Sequence, residues 1–269
     1  MLFTLFGQMA QQIMPHFVTQ RSLYEARERP SKTYSWKIFM ISNIIVEVPW
    51  NMLMSVFMYV AWYYAVGMDR NAAETNSETE RGGLMFLFVL TYLIFTSTFS
   101  TMIIAGIGQA AEGANLANLM FSLCLMFCGV LATKESLPGF WIFMYRVSPF
   151  TYFVSGMLSS STAHAKVTCA ANEYLTMQPA AGQTCEAYLA DFVQATTGYV
   201  LDGNATQDCQ FCPASSTDSY LAGISIFYDD AWRNLGITWA YIAFNVVAAL
   251  SIYWLVRMPK KTRAQKTAP

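Results

Sequence analysis

Charged side chains are scarce in this sequence. Of its 269 residues 12% are Asp, Glu, Lys or Arg and 55% are hydrophobic, whereas an average soluble domain carries roughly 25% charged residues. So few charges cannot coat a water-soluble globule; a bilayer makes that coat unnecessary. Histidine is scarcer still, with only His16 and His164. There is no HExxH pair, no metal-ligand cluster and no Ser–His–acid set that could converge, which excludes the common hydrolytic and metal-assisted chemistries. No GxxxxGK[ST] phosphate loop or other nucleotide fingerprint occurs, so the chain offers no residues for ATP hydrolysis. No secretory signal with a cleavage site is evident, and no nucleic-acid partner is expected.

What the sequence does have is long apolar runs. A spanning helix needs roughly 20 mostly apolar residues, and four stretches qualify: 38–67, 83–108, 114–133 and 235–256. Residues 1–14 are apolar but short, and read as the end of a helix that begins before residue 1. Residues 134–158 are aromatic but broken by Pro138, Arg146 and Pro149; they are expected to form two short re-entrant helices, since a further full span puts the flanking loops on the wrong sides. Five bases (Arg21, Arg27, Arg29, Lys32, Lys37) lie in 15–37 and five (Arg257, Lys260, Lys261, Arg263, Lys266) in the tail 257–269. The positive-inside rule assigns both segments to the cytosol. Counting crossings then makes 68–82 external, 109–113 a cytosolic turn and 159–234 external. The fold class is an all-α polytopic membrane protein.

The external segment 159–234 holds Cys169, Cys185, Cys209 and Cys212 and the glycosylation sequon Asn204-Ala205-Thr206. Disulfides persist outside the cytosol. A ring closed between Cys209 and Cys212 is tight, so each is expected to reach back to Cys169 or Cys185. The rival reading, half a zinc site, lacks the remaining ligands.

Several polar groups fall within the spans. Glu47 lies about two and a half turns into its helix, where a carboxylate costs on the order of 2.5–3.5 kcal/mol; it is expected to face protein, as a relay or gate contact or in an interhelical hydrogen bond. Thr96, Ser97, Ser100 and Thr101 read as close helix packing or as a stripe beside a substrate path. Asn115, Asn118 and Ser122 share one helix face.

The stretch "QRSLYEARERPSKTYSW", Gln20–Trp36, packs acids and bases between two apolar runs. Glu25 and Arg29 are four apart, a helical pair, before Pro30. A short interfacial helix of this kind lies on headgroups or docks into a cytosolic partner. "PHFVTQRSLYEARERPSKTYSW" followed by "SNIIVEVPWN", together with "RVSPFTYFVSGMLS" and a cysteine-bearing loop before a final helix, resembles the second membrane domain of fungal pleiotropic drug resistance ABC transporters of the G subfamily. The resemblance covers essentially the whole chain. It implies an ABC-2 type transmembrane domain, truncated, with a disulfide-bearing extracellular loop, and a location in the plasma membrane.

It further implies that Gln20–Ser31 couples to nucleotide-binding domains, with Tyr24, Glu25, Arg27 and Glu28 as contacts. Gln8, Gln12, Asn118, Phe121 and Ser122 would line a substrate pathway, and Val130 and Leu131 would sit at an apolar plug. The nucleotide-binding domains, the first transmembrane domain and any ATP and Mg²⁺ belong to parts absent here, so this chain carries no cofactor. The function so implied is the transmembrane portion of an ATP-driven exporter of hydrophobic drugs, sterols or lipids. The alternative is a stand-alone, non-catalytic membrane binding protein.

Overall fold

In a computed structural model of the protein, residues 5–134, 136–180 and 182–258 are described. Most of the tail, including Lys260, Lys261, Arg263 and Lys266, lies outside the described residues. Helix α1 runs Leu5–Leu23 and passes into a π turn, Tyr24–Glu28; α2 follows at Trp36–Val66. The segment expected as a loop over 15–37 is therefore helical for its first half. Pro15 does not stop α1, and Pro30, without an N–H to donate, ends the π turn. Ser35 caps α2 by accepting from the Ile38 N–H. Gly67 stops α2 in the left-handed conformation, φ +76°, its N–H returning to Tyr63 O and Tyr64 O.

Helices α3 (Met68–Glu74), α4 (Glu78–Gly106) and α5 (Ala110–Met126) come next. Most of the expected external loop 68–82 is thus helical. Among the described residues three helices are long and apolar enough to cross a membrane: Trp36–Val66, Glu78–Gly106 and Tyr228–Arg257. The span expected over 114–133 is shorter, because α5 has 17 residues, about 25 Å at 1.5 Å each against a core of about 30 Å. The chain leaves the helix at Phe127 and turns at Gly129, φ +92°, where a Cβ would lie 2.7 Å from the Tyr145 ring. The apolar run beyond Met126 carries hydropathy but not helix. Two short helices, α6 (Ile142–Val147) and α7 (Pro149–Thr162), fill the region read as re-entrant.

Helix α4 is the central pillar. Its spanning window is 94% buried while that of α2 is 11% buried, so α2 presents its apolar residues outward and α4 none. Three α4 threonines turn back to their own helix: Thr96 to Tyr92 O at 2.9 Å, Thr98 to Ile94 O at 2.9 Å and Thr101 to Ser97 O at 3.0 Å, while the buried Ser100 hydroxyl has no partner among the described residues. That arrangement fits close packing and not a stripe lining a path. Where α7 crosses α4, Gly156 is required: a Cβ there would sit 2.0 Å from Phe88 Cζ, and Phe88 is fully buried. Gly156→Ala is expected to destabilise the bundle by about 1–3 kcal/mol through overpacking, read as a lower midpoint in thermal unfolding; an unchanged midpoint would mean that the crossing is looser than this.

The external segment forms a small module. Strands β1 (Leu175–Met177), β2 (Tyr199–Val200) and β3 (Cys209–Cys212) make an antiparallel sheet in the order β1-β3-β2, with α8 (Cys185–Thr196) beside it and α9 (Asp218–Gly223) following. Cys169 bonds Cys212 and Cys185 bonds Cys209, so both cysteines of "CQFC" reach back. A short 3₁₀ turn, Tyr228–Asp230, leads into α10 (Ala231–Arg257), which packs along α4 and α7.

The module is pinned to the bundle at Ala163 O, which accepts from Arg81 at 2.8 Å and Asn71 at 3.2 Å. Next to it, Asp218 accepts from the His164 N–H and meets the His164 ring, both at 2.8 Å. Burial pushes the Asp218 carboxyl up, but the hydrogen bonds from His164 outweigh it and hold the group below the usual carboxylate range. Its contribution is therefore present above the ordinary carboxylate pKa of about 3.9 and is lost as pH falls through the lowered value. The pair is exposed, so the effect is below about 1 kcal/mol. Asp218→Asn should flatten the acid limb of the module's stability profile by that amount, and an unchanged limb would assign acid sensitivity elsewhere.

Candidate functional site

The π turn and its neighbours form the most elaborated polar structure in the chain. The Arg29 N–H bonds Tyr24 O at 2.9 Å, the i→i+5 closure that defines the turn, and such one-turn widenings concentrate at functional sites. The extra residue rotates consecutive side chains onto different helices. Tyr24 is buried and stacks on Phe39 of α2, centroids 4.6 Å apart; burial raises its phenol pKa. Glu25 accepts from the buried Tyr253 hydroxyl of α10 at 3.2 Å, and Tyr253 stacks on Trp36. Glu28 accepts from the Tyr34 hydroxyl, and that bond, with burial, pushes Tyr34 up to about 12. Arg29 donates to Arg257 O at 3.0 Å.

One turn earlier, Arg21 is buried at 3% exposure. It donates to Ile104 O at 2.7 Å, Ile107 O at 2.8 Å and Gly108 O at 3.2 Å. These carbonyls belong to the C-terminal end of α4 and the turn after it, where Ile104 O also accepts from the Ile107 N–H and a cation is favoured by the helix dipole. A single short segment thus holds α2, α4 and α10 at the end assigned to the cytosol.

Of the four expected contact residues, Tyr24 faces the chain's own core, Glu25 and Glu28 are half-buried in internal hydrogen bonds, and Arg27 is exposed. Tyr24 is therefore a supporting residue, with no surface to offer a partner. Arg21, Arg29, Tyr34 and Tyr253 complete this cluster and carry no sequence signal of it, because nothing in the local pattern marks an arginine as buried or a distant tyrosine as its neighbour.

The five pathway residues do not converge. Phe121 stacks on Phe6, centroids 4.4 Å apart, and meets Phe150 edge-on. Asn118 faces α1 at Gly7, where a Cβ would lie 3.2 Å from its Oδ1. Ser122 donates to Asn118 O and is exposed, as is Gln8. Gln12 instead lines a cleft between α1 and α2 with Glu47, and Glu47 has no hydrogen bond or ion pair among the described residues. Val130 and Leu131, 48% and 72% exposed, lie in the irregular stretch after α5. Asn204 is in the external module, and Cys124 and Cys128 are unbonded. Among the described residues no group of three His, Cys, Asp or Glu could hold a metal ion.

A family model described as ABC-2 type transporter matches residues 1–161. The chain belongs to the ABC-2 type transporter family. The matched region carries the pillar α4 and the π turn, and identifies the apolar helices as those of a membrane domain. The ABC multidrug transporter atrG of Aspergillus oryzae is 59% identical over 265 residues, 98% of this chain and 18% of that protein. The ABC multidrug transporter AFR2 of Cryptococcus neoformans var. grubii is 54% identical over 268 residues, 100% of this chain and 18% of that protein. The chain therefore spans about a fifth of the length of these relatives. Their similarity extends past residue 161 through the disulfide module and α10, so this ABC-2 membrane domain resembles the multidrug transporters over the external segment as well.

Proposed function

We propose that this ABC-2 domain is a membrane portion of a longer, ATP-driven plasma-membrane exporter of hydrophobic drugs, sterols or lipids. The observation that carries the reading is the charged segment Arg21–Arg29, whose outer edge, Arg27, is exposed while Arg21 bonds the end of α4, Tyr24 stacks on α2 and Glu25 bonds Tyr253 of α10. Such a segment can receive a push from outside the chain and deliver it to three membrane helices at once. Nucleotide-binding domains beyond this chain would supply the push, using ATP and Mg²⁺. A second membrane domain would cover the polar faces of α1 and α5 that carry Gln8 and Ser122, because amide and hydroxyl groups are costly against lipid. Val130 and Leu131 would then sit at the outer end of the path between the two.

The test is efflux. The full-length gene, expressed in cells stripped of their own drug pumps, should let energised cells expel a hydrophobic fluorescent dye severalfold faster than cells carrying an empty vector. Equal retention by both would overturn the exporter reading.

A further inference from the structure

The stretch 203–206 turns beside the start of α8 in the external module, and its backbone is clamped there. The Cys185 N–H donates to Ala205 O at 2.8 Å and the Glu186 N–H to Gly203 O at 3.0 Å, so the first turn of α8 holds the chain on both sides of Asn204. The Asn204 N–H is taken by Asp202 Oδ1 at 3.1 Å. Ala205 packs against the module core of Cys185, Leu189, Cys209 and Phe211. The Cys185–Cys209 bridge closes the loop that contains the whole stretch. Asn204 and Thr206 themselves are exposed.

Asn204-Ala205-Thr206 is the chain's only Asn-x-Ser/Thr sequence, the acceptor of N-linked glycans in extracellular segments. A transferase must draw its acceptor into its own active site. In the folded module that means stripping Ala205 O from Cys185, pulling Ala205 out of the core and opening a loop that a covalent bridge keeps short. In the growing chain nothing of the kind is needed, because Asn204 emerges before Cys209, the residue that completes the clamp.

We propose that Asn204 is N-glycosylated and that the glycan is added before the Cys185–Cys209 bridge closes. The donor is a lipid-pyrophosphate oligosaccharide. Asn204 Nδ2 bonds the anomeric carbon of the first sugar, the C–O bond to the pyrophosphate breaks, the lipid pyrophosphate leaves, and Nδ2 gives one proton to a base of the transferase. Folding then clamps Ala205 inward and leaves the modified amide on the outside of the turn. Because the acceptor is read on the unfolded segment, what the rest of the longer protein covers after folding does not bear on it. The proposal rests on the external assignment of 159–234 and not on the exporter reading.

The test has two readouts on the full-length protein from a eukaryotic host. Glycosidase treatment in heavy-oxygen water, followed by peptide mapping, should find Asn204 converted to labelled Asp in most wild-type molecules and in none of the Thr206→Ala variant. An unmodified Asn204 in the wild type would overturn the site. The order is read in vitro: protein made in tunicamycin-treated cells, with Asn204 bare, is given microsomal oligosaccharyltransferase and the lipid-linked oligosaccharide. Oxidised wild type should accept about tenfold less glycan than the Cys185→Ser, Cys209→Ser variant, since the bridge holds the acceptor closed. Reductant should bring the wild type up to the level of that variant, and this comparison carries the test if the variant is degraded in the cell. Equal modification of oxidised and reduced wild type would overturn the order.

Discussion

Replacing Arg21 by methionine in the full-length transporter is expected to lower the melting temperature of the membrane domain by about 6–12 °C. The side chain keeps its apolar stem but loses the guanidinium that serves Ile104 O, Ile107 O and Gly108 O. Removing the charged partner from a buried hydrogen-bonded set costs on the order of 3 kcal/mol or more, and about 2–4 °C accompanies each kcal/mol in a domain of this size. Arg21→Lys should recover only part of the loss, because a single ammonium cannot spread a planar fork over three carbonyls. Unfolding followed by size-exclusion chromatography after heating reads the effect. A methionine variant that melts with the wild type would show that the end of α4 is held by something else.

Removing Cys185 and Cys209 together, as Cys185→Ser with Cys209→Ser, is expected to unfold the external module while leaving the bundle intact. The module has a small core, in which Leu189 and Phe211 pack with these same cysteines, and sheet strands of two to four residues. A closed loop with a sequence separation of 24 contributes about 3–4 kcal/mol in the chain-entropy model, comparable with the whole stability of so small a unit. Limited proteolysis of intact cells should then cut between residues 166 and 217. Cys124→Ala, at an unbonded position on α5, is the control expected to change neither. Protease resistance in the double variant would mean that the sheet stands without this bridge.

Much of this architecture is legible in the sequence because bilayer burial is a composition signal. The apolar runs at 38–67, 83–108 and 235–256 fall on α2, α4 and α10, and Gly67 marks a stop that only a residue tolerant of positive φ provides cheaply. The run at 114–133 misleads, since hydropathy persists through Phe127–Leu131 after Gly129 has turned the chain. The segment 15–37 misleads in the opposite way: polar residues suggest a loop, yet α1 carries straight into the π turn, because the Arg21 guanidinium is hydrogen-bonded by carbonyls of the α4 end and Tyr24 is buried in a ring stack. Periodicity finds which residues share a face; it does not find partners 228 positions apart, as Glu25 and Tyr253 are. For the same reason Glu47 can be flagged as anomalous from sequence, but the cleft beside it cannot.

The most direct test of coupling is the amount of substrate moved per ATP hydrolysed by the full-length protein reconstituted in liposomes. Arg27 is the residue to change, because it is exposed and reversing it leaves the Tyr24, Glu25 and Glu28 contacts in place. Arg27→Glu is predicted to keep the protein folded and hydrolysing ATP while the ratio of transport to hydrolysis falls at least tenfold. A ratio equal to that of the wild type would contradict the account, because the outer edge of the π turn would then carry no part of the coupling.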